Sequence, residues 1–355
     1  MAADTRAAIE PTPIYRITLE GRDLTPKIEA RLVSLTLTDN RGFEADELDL
    51  TLDDSDGLLD IPSRGATLTL AIGWAHSGLI DKGTFTVDEI EHTGAPDKLQ
   101  IRARSADMRQ GLTERRERSF HRKTLGDIIR AIAGQNELKP VIAEKLAGKA
   151  VDHIDQTSES DANFLTRLAQ QFDAIAAVKA GRLLFLPTGE GVSATGKALE
   201  GVTITRAVGD SHRFAVADRE IYTQVQAYYQ DVGKAKKGEV LVGKDGVKKA
   251  SGKTKTVGAS AENTLVLRHT YASKANAERG AKAAWNRIHR GRAEFSITLA
   301  LGRPDLFPEM PVRVSGFKPV IDGTGWTLAR VVHTIAEGGF TSQLELEMKI
   351  EDLAD

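Results

Sequence analysis

The chain has 355 residues, 41% of them hydrophobic, enough to bury a sizeable core divided over two or three domains. Lys and Arg number 48 against 50 Asp and Glu, a formal charge of -2, so no global field directs the chain to nucleic acid or an anionic membrane. Cysteine is absent, which removes disulfides, thiolate zinc sites and cysteine nucleophiles together and fits folding in a reducing cytoplasm.

The opening MAADTRAAIEPTP carries acids and no apolar core, so a secretory signal is not expected. No apolar run is long enough to cross a bilayer, and a soluble protein is expected. From Ile14 to about Asp107, period-two alternation dominates. It runs through Tyr15, Ile17 and Leu19, through Val33, Leu35 and Leu37, and through Leu48, Leu50 and Leu52. Leu68, Leu70, Ile72 and Trp74 continue it, then Phe85 and Val87, then Leu99, Ile101 and Ala103. Turn formers separate these runs, so six or so short strands predict an antiparallel sheet closing into a barrel or sandwich.

Residues 111–122 are dense in both charges and read as a solvated linker. A helix is predicted from Thr124, whose hydroxyl caps it, with Leu125, Ile128, Ile129 and Ile132 on one face. A second amphipathic helix follows in QTSESDANFLTRLAQQFDAIAAVKAGRLLFLP (156–187). There Ser158 is the expected N-cap, Asp161 supplies a first-turn carboxylate, and Phe164, Leu165, Leu168 and Phe172 form the apolar stripe. After Asp173 the period changes to two short strands, 174–179 and 182–186, joined at Ala180-Gly181 and closed by Pro187.

Residues 189–197 are loop-like, and strands resume after Val202, with Thr223, Val225, Ala227 and Tyr229 alternating. Residues 233–258, rich in lysine and glycine, predict a mobile hairpin or disordered insertion. A third helix is expected over 273–290, with Ala277, Ala281, Ala284, Trp285 and Ile288 on one face and Gly291 as its C-cap. The chain ends in strands again: Phe295 to Leu301, Val312 with Val314, Trp326 with Leu328, and Leu344 to Ile350. Two β domains of similar strand count thus flank a helix-bearing middle, which hints at a duplication without any residue-level repeat.

Candidate chemistry is sparse. Gly191, Gly196 and Lys197 satisfy three positions of a phosphate-binding loop, but Ala198 stands where Ser or Thr would reach magnesium, and a strand follows instead of a helix. The run Asp53, Asp54, Ser55, Asp56, Gly57 fails as a calcium loop, because Leu52 and Ser63 fall at the first and twelfth ligand positions. Asp53 and Asp56, with Asp60 or Glu89, could be offered as a glycosidase pair, but aromatics are 5% of the chain, too few for the expected sugar cleft. His76, His92, His121, His153, His269, His289 and His333 are scattered without ligand spacing. Gly323 and Gly325 lie between strands without the helix of a dinucleotide site. The lysines from 234 to 255 lack the interleaved aromatics of a base-stacking platform. No catalytic, cofactor or metal residue is assigned.

The string SESDANFLTRLAQQFDA, with its short hairpin ending in LLFLP, resembles the middle region of the contractile-tail baseplate hub family. That family includes phage late control protein D and the hub portion of VgrG proteins. The matching positions are Glu159, Ser160, Asp161, Phe164, Leu165, Arg167 and Leu168. FHRKTLGDIIRAIA (120–133) is similar to the family's first middle helix, and PEMPVRVSGF and GTGWTLARVVHTI, with His333, to its closing strands. The resemblance spans most of the chain and implies an α+β, β-dominated fold with two antiparallel β-barrel-like domains flanking a helix-containing middle domain. The expected divisions are 1–111, 112–199, and 200–355 with its insertion and helix at about 231–291.

The implied role is structural: a homotrimeric ring at the tail baseplate that adapts a sixfold tail tube to a threefold spike. The chain's end at Asp355 suggests that the spike is a separate trimeric protein, and tail tube and baseplate wedge proteins are the other expected partners. Assembly is expected in the bacterial host cytoplasm, with no membrane and no sequence-specific nucleic acid as partner, tail DNA at most passing through the ring. Phe164, Leu165 and Leu168 are then core, and Arg167 is a candidate domain or subunit contact. Two other readings stand beside this one: a β-rich hydrolase using carboxylates such as Asp53 and Glu89, and a monomeric glycan- or peptide-binding module.

Overall fold

The computed structural model describes residues 11–105, 110–179, 181–191, 197–216, 222–231, 236–243, 246–249, 263–291 and 293–349. The first β region contains β1 (Pro13–Leu19), β2 (Arg22–Asp23), the helical turn α1 (Thr25–Ile28), β3 (Leu32–Asp39) and β4 (Glu47–Asp53). It continues through β5 (Thr67–Trp74), β6 (Gly78–Thr93) and β7 (Lys98–Ser105). The alternating residues point inward as the pleat requires: Leu35, Leu37, Leu48, Leu50, Leu52, Leu68, Leu70 and Ile72 share one buried cluster. Val33 breaks the pattern. A bulge between Leu32 and Ser34 adds one residue against β4, and Val33 is turned out to 38% exposure.

The middle region begins with the turn α2 (Gln110–Thr113) and β8 (Arg115–Thr124), followed by α3 (Leu125–Gln135), β9 (Lys139–Ile142) and the turn α4 (Glu144–Ala147). Then come β10 (Ala150–Ser160), α5 (Asp161–Phe172), β11 (Ala174–Lys179) and β12 (Arg182–Pro187). Two expectations are corrected here. The charged segment is not a linker: β8 pairs antiparallel with β10 along its length, and a two-stranded ribbon needs no continuous apolar face. The sequence FHRK is therefore strand, and the helix starts only at Leu125, where Thr124 and Asp127 form a reciprocal capping box. The N-cap of α5 is Ser160, whose Oγ accepts from the Asn163 N–H at 3.2 Å. Ser158 lies two residues earlier in β10, at φ 47°, with its hydroxyl donating to Glu117 at 3.2 Å.

The second β region contains β13 (Val202–Thr205) and β14 (Gly209–Val216). The strands β15 (Gln224–Asp231), β16 (Lys236–Gly243), β17 (Gly246–Lys249) and β18 (Thr264–Tyr271) form a separate sheet, on which α6 (Lys274–Arg290) packs. Part of the lysine-rich segment is therefore ordered strand, with Val240 and Val242 buried against Ala277, Ala281 and Ala284; residues 250–262 lie outside the described residues. The region closes with β19 (Ala293–Leu299), β20 (Pro311–Ser315), the turn α7 (Pro319–Asp322), β21 (Trp326–Ala336) and β22 (Gly339–Met348). Leu301 falls beyond β19 and is 54% exposed, and Ile350 lies outside the described residues.

The two β regions are parts of one sheet. Its path is β14-β19-β22-β21-β3-β4-β7-β6-β5-β1-β2, with β20 paired to the start of β21 on the flank that β3 takes farther along, and β13 beyond β20. Leaving aside the two-residue β2, which pairs only with β1, and numbering by order within each region, the first region's strands lie 2-3-6-5-4-1, and the second region's lie 2-3-6-5-4-1 as well. The hinted duplication is real at the level of topology. One strand differs in direction: β1 runs antiparallel to β5, while β13 runs parallel to β20. The separate sheet and α6 are inserted between the second and third strands of the second repeat. In the first repeat, residues 40–46 make that connection.

The repeats meet where β21 pairs antiparallel with β3, from Val331 opposite Asp39 to Ala336 opposite Ser34. Beside this ladder the Trp74 indole N–H donates to the Gly302 carbonyl at 2.8 Å, and Trp74 and Phe340 lie 5.2 Å apart. A Cβ at Gly302 would sit 2.4 Å from the Phe340 ring. Gly302→Val is therefore expected to destabilise the junction by about 1–3 kcal/mol through overpacking, read as a lower urea midpoint with an unchanged slope.

Candidate functional site

The residues that carry the family resemblance converge on Asp161, which is wholly buried at the first turn of α5. The positive end of the helix dipole and four side chains hold its carboxylate. Gln156 Nε2 donates at 2.9 Å and Asn136 Nδ2 at 3.0 Å, Arg118 forms an ion pair with it, and Arg116 Nε stands at 3.6 Å. Both arginines come from β8, the segment whose charges suggested a linker. Their alternate positions on a strand bring them to one face, and that face covers the N-terminus of α5.

Glu159 and Arg167 form a second pair: Arg167 Nη2 donates to Glu159 Oε2 at 2.7 Å and also to the Asp155 carbonyl at 2.7 Å. The Arg167 guanidinium lies 5.1 Å over the Phe164 ring, and Phe164 stacks on Phe120 at 5.7 Å. Phe164, Leu165 and Leu168 are fully buried. Arg167 also lines a cleft of about 310 Å3 between the middle region and the insertion, facing His153, His269, Tyr271 and Arg279.

Further polar contacts tie the regions together. Asp173, the left-handed C-cap of α5 at φ 52°, is held by Arg290 Nη2 at 2.5 Å and Asn286 Nδ2 at 2.8 Å, both from α6. Arg41 of the first repeat pairs with Glu309 at 2.6 Å and with Glu347 at 2.5 Å in the second. Glu309 also accepts the Gly189 N–H at 2.9 Å. Burial pushes the Glu309 carboxyl upward, and Arg41 opposes that push. Lys179 reaches from β11 to Asp39 at 3.2 Å and to Asp46. Burial alone would lower the Lys179 ammonium, but the two carboxylates outweigh it and raise it.

Under the junction ladder, Lys82 Nζ lies 3.2 Å from His333 Nε2 and 3.4 Å from the Leu306 carbonyl. His333 Nδ1 is 2.8 Å from Ser342 Oγ. An ammonium donating to Nε2 requires the Nδ1–H tautomer, so the ring donates to Ser342 and stays neutral. Burial first, then the Lys82 charge, brings His333 down to about 3. His333 thus bridges the two repeats, whereas its sequence context showed only a histidine after a tryptophan strand.

The carboxylates weighed for catalysis do not assemble. Asp56 is held by Arg31, with Nη1 at 2.6 Å, and Asp53 accepts from the Ser55 N–H at 2.9 Å. Buried Asp54 binds His92 at 3.1 Å, Glu89 pairs with Arg102 at 2.9 Å, and Asp60 is exposed in the connection between β4 and β5. Among the described residues no group of three or more His, Asp or Glu is placed to hold a metal ion. Most of the glycine-rich near-match, residues 192–196, lies outside the described residues; Gly191 abuts Pro311, where a Cβ would stand 2.3 Å away. Gly323 and Gly325 line an open cleft of about 690 Å3 with Thr203, Arg313, Trp326 and Lys349. Lys82, Arg41, Lys179 and Glu309 were invisible in the sequence, because each reads as a surface charge until the sheet path brings its partner close. The one local sign is Glu309 at φ 75°, an unusual conformation for a non-glycine residue.

Comparison with known proteins gives a consistent result. The family described as Phage tail baseplate hub (GPD) matches residues 41–339. A probable baseplate hub protein of Escherichia phage 186 is 49% identical, over 96% of this chain and 94% of its own length. That of Escherichia phage P2 is 48% identical over 96% and 95%. Among solved structures, a tail protein from Neisseria meningitidis MC58 superposes with TM-score 0.67 at 14% identity, covering 96% of this chain and 99% of that one. The 43 kDa tail protein of prophage MuSo2 from Shewanella oneidensis gives 0.64 at 13%, covering 95% and 98%. These structural likenesses concern the fold.

Two expected outcomes follow from the polar contacts. Asp161→Ala leaves the buried amides of Gln156 and Asn136 without their acceptor and half-buried Arg118 without its ion pair, and should cost about 1–3 kcal/mol in urea unfolding. The His333 proton is taken up first by the unfolded chain, whose ordinary value is 6.5 against about 3 when folded. Its contribution is therefore full above pH 6.5 and is lost as pH falls toward 3, at up to about 1.4 kcal/mol per pH unit. Stability profiles of wild type and His333→Gln should diverge across that window, with the variant's flatter.

Proposed function

The chain belongs to the phage tail baseplate hub family, and on that premise we propose that three copies form a ring joining the tail tube to a central spike. As a baseplate hub it is a structural protein of the virion tail, not an enzyme, and the hydrolase reading falls with that membership. The observation that carries the ring is the doubled strand path. A chain with two copies of one six-strand unit presents six similar units from three subunits. That matches a sixfold partner on one face while keeping true threefold symmetry for the other.

In this reading each repeat acts as a barrel-like segment of the ring, with domains at 1–111, 112–199 and 200–355. The apolar clusters favour the division: one spans the first repeat and takes in only Ile335 and Phe340 from the second, one spans the middle from Leu112 to Phe185, one the second repeat and one the insertion. Asp161, Arg167 and His333 then hold domains in place and take no part in chemistry. The spike is a separate trimeric protein, tube and wedge proteins are the other partners, and tail DNA passes through the ring without sequence-specific contact.

Absolute molar mass by light scattering, for the chain alone and with its spike protein, tests this. A trimer, formed alone or on adding the spike, is the expected result. A monomer indifferent to the spike at high concentration overturns the ring.

A further inference from the structure

The outer face of the β8–β10 ribbon carries a pair of histidines that takes no part in the contacts around Asp161. Phe120, Ile154 and Gln156 turn toward the interior of the middle region, so the pleat leaves Ser119, His121, His153 and Asp155 exposed. His121 stands directly opposite His153, with their Nδ1 atoms 3.0 Å apart and their ring centres 4.5 Å apart. Ser119 stands opposite Asp155 and donates its hydroxyl to Asp155 Oδ1 at 2.5 Å. The other oxygen, Asp155 Oδ2, lies 3.0 Å from His153 Nε2.

These contacts fix where the protons sit. The Ser119 hydroxyl, and after it His153, holds the Asp155 carboxyl below its usual range, so the group is ionised and only accepts. His153 therefore carries its N–H at Nε2 and keeps a lone pair at Nδ1. That lone pair faces Nδ1 of His121. With its proton on Nδ1, His121 donates to His153; with the proton on Nε2, where water accepts it, His121 offers a second lone pair instead. The second arrangement is a two-nitrogen chelate. Nitrogens about 2.1 Å from a shared ion and at a right angle to each other stand about 3.0 Å apart, whereas a tetrahedral angle needs about 3.4 Å. The spacing suits the tetragonal geometry of Cu(II) or Ni(II) better than the tetrahedral geometry of Zn(II).

We propose that His121 and His153 bind one divalent copper or nickel ion through their Nδ1 atoms, with water in its remaining positions. Asp155 is a positioning residue: from the far side of the His153 ring it fixes the tautomer and raises the basicity of Nδ1. The site has two protein donors, below the three-donor groups that are absent among the described residues. An ion there clamps β8 to β10, the two strands that supply Arg118 and Gln156 to Asp161. Both histidines belong to one chain, so the site is independent of the ring.

Calorimetric titration of the full-length chain, without an affinity tag, with nickel or copper chloride tests the site. One ion per chain is expected. His121→Ala and His153→Ala should each weaken binding by about 100-fold through loss of the chelate, and Asp155→Ala by about tenfold. His76→Ala and His212→Ala, at exposed histidines elsewhere, should leave it unchanged. The Cu(II) electron paramagnetic resonance spectrum should show two coupled nitrogens in the wild type and one in each single variant. Nickel should raise the urea midpoint of the wild type and not of the His121 and His153 variants, because the ion favours the folded ribbon. Where His121→Ala loosens the metal-free ribbon, His121→Gln keeps an amide opposite His153 and takes its place. Binding as tight in the His121 and His153 variants as in the wild type overturns the site, and so does a wild-type chain that takes up no ion.

Discussion

The backbone ladder between β3 and β21 is the contact on which the rest of the molecule depends. Six residue pairs join the first and last segments of the described chain and turn two β regions into one sheet. Backbone hydrogen bonds of this kind carry little sequence information, so the side chains around them must fix the register. Trp74 against Phe340 and Gly302 does so on apolar grounds. Lys82, neutral His333 and Ser342 do so on polar grounds, because each satisfies a group that the ladder buries. Once these contacts set the angle between the repeats, Arg41 can reach Glu309 and Glu347, and Lys179 can reach Asp39.

The middle region follows a different rule. Its apolar core is conventional, but its outer contacts are charges removed from water. Burying Asp161 costs several kcal/mol in desolvation, offset only if every lone pair finds a donor. Gln156, Asn136 and Arg118 supply those donors from β10, the C-cap of α3 and β8. A geometry that demands three elements at once is more exacting than hydrophobic packing. The motif residues are therefore understandable as devices for holding helices and strands in one arrangement, as a structural protein of the tail baseplate requires.

Much of this was legible in the sequence, for identifiable reasons. Period-two alternation located the strands of the first repeat, because each has one buried and one wet face. The Thr124 cap, the Ser273 to Gly291 helix and the 174–187 hairpin were legible because caps and tight turns are local. Strand β8 was missed because a two-stranded ribbon of arginines gives no apolar signal, and Ser158 was preferred to Ser160 because both precede the same apolar stripe. The lysine-rich segment left a hairpin and a disordered insertion open; β16 and β17 form the hairpin, and the choice was not legible because its few valines are buried by a helix some thirty residues later. The duplicated path was only hinted at by strand count. The repeats share order and bulge position but few residues, and side chains diverge freely where only the pleat must be kept. The long-range contacts of Lys82, Arg41 and Lys179 could not be read at all, since their partners lie more than a hundred residues away.

The same ladder has a consequence for how the protein is made. Strand β3 lies near the start of the chain and its partner β21 near the end, so during translation β3 emerges long before β21 can cover it. A nascent first repeat can bury most of its own core before Ile335 and Phe340 complete it, but it presents an open strand edge while most of the remaining residues are synthesised. Neighbouring nascent chains on one messenger hold the same edge at the same time. Truncation before residue 331 would leave that edge permanently open, so a prematurely terminated hub is an aggregation hazard rather than a harmless fragment.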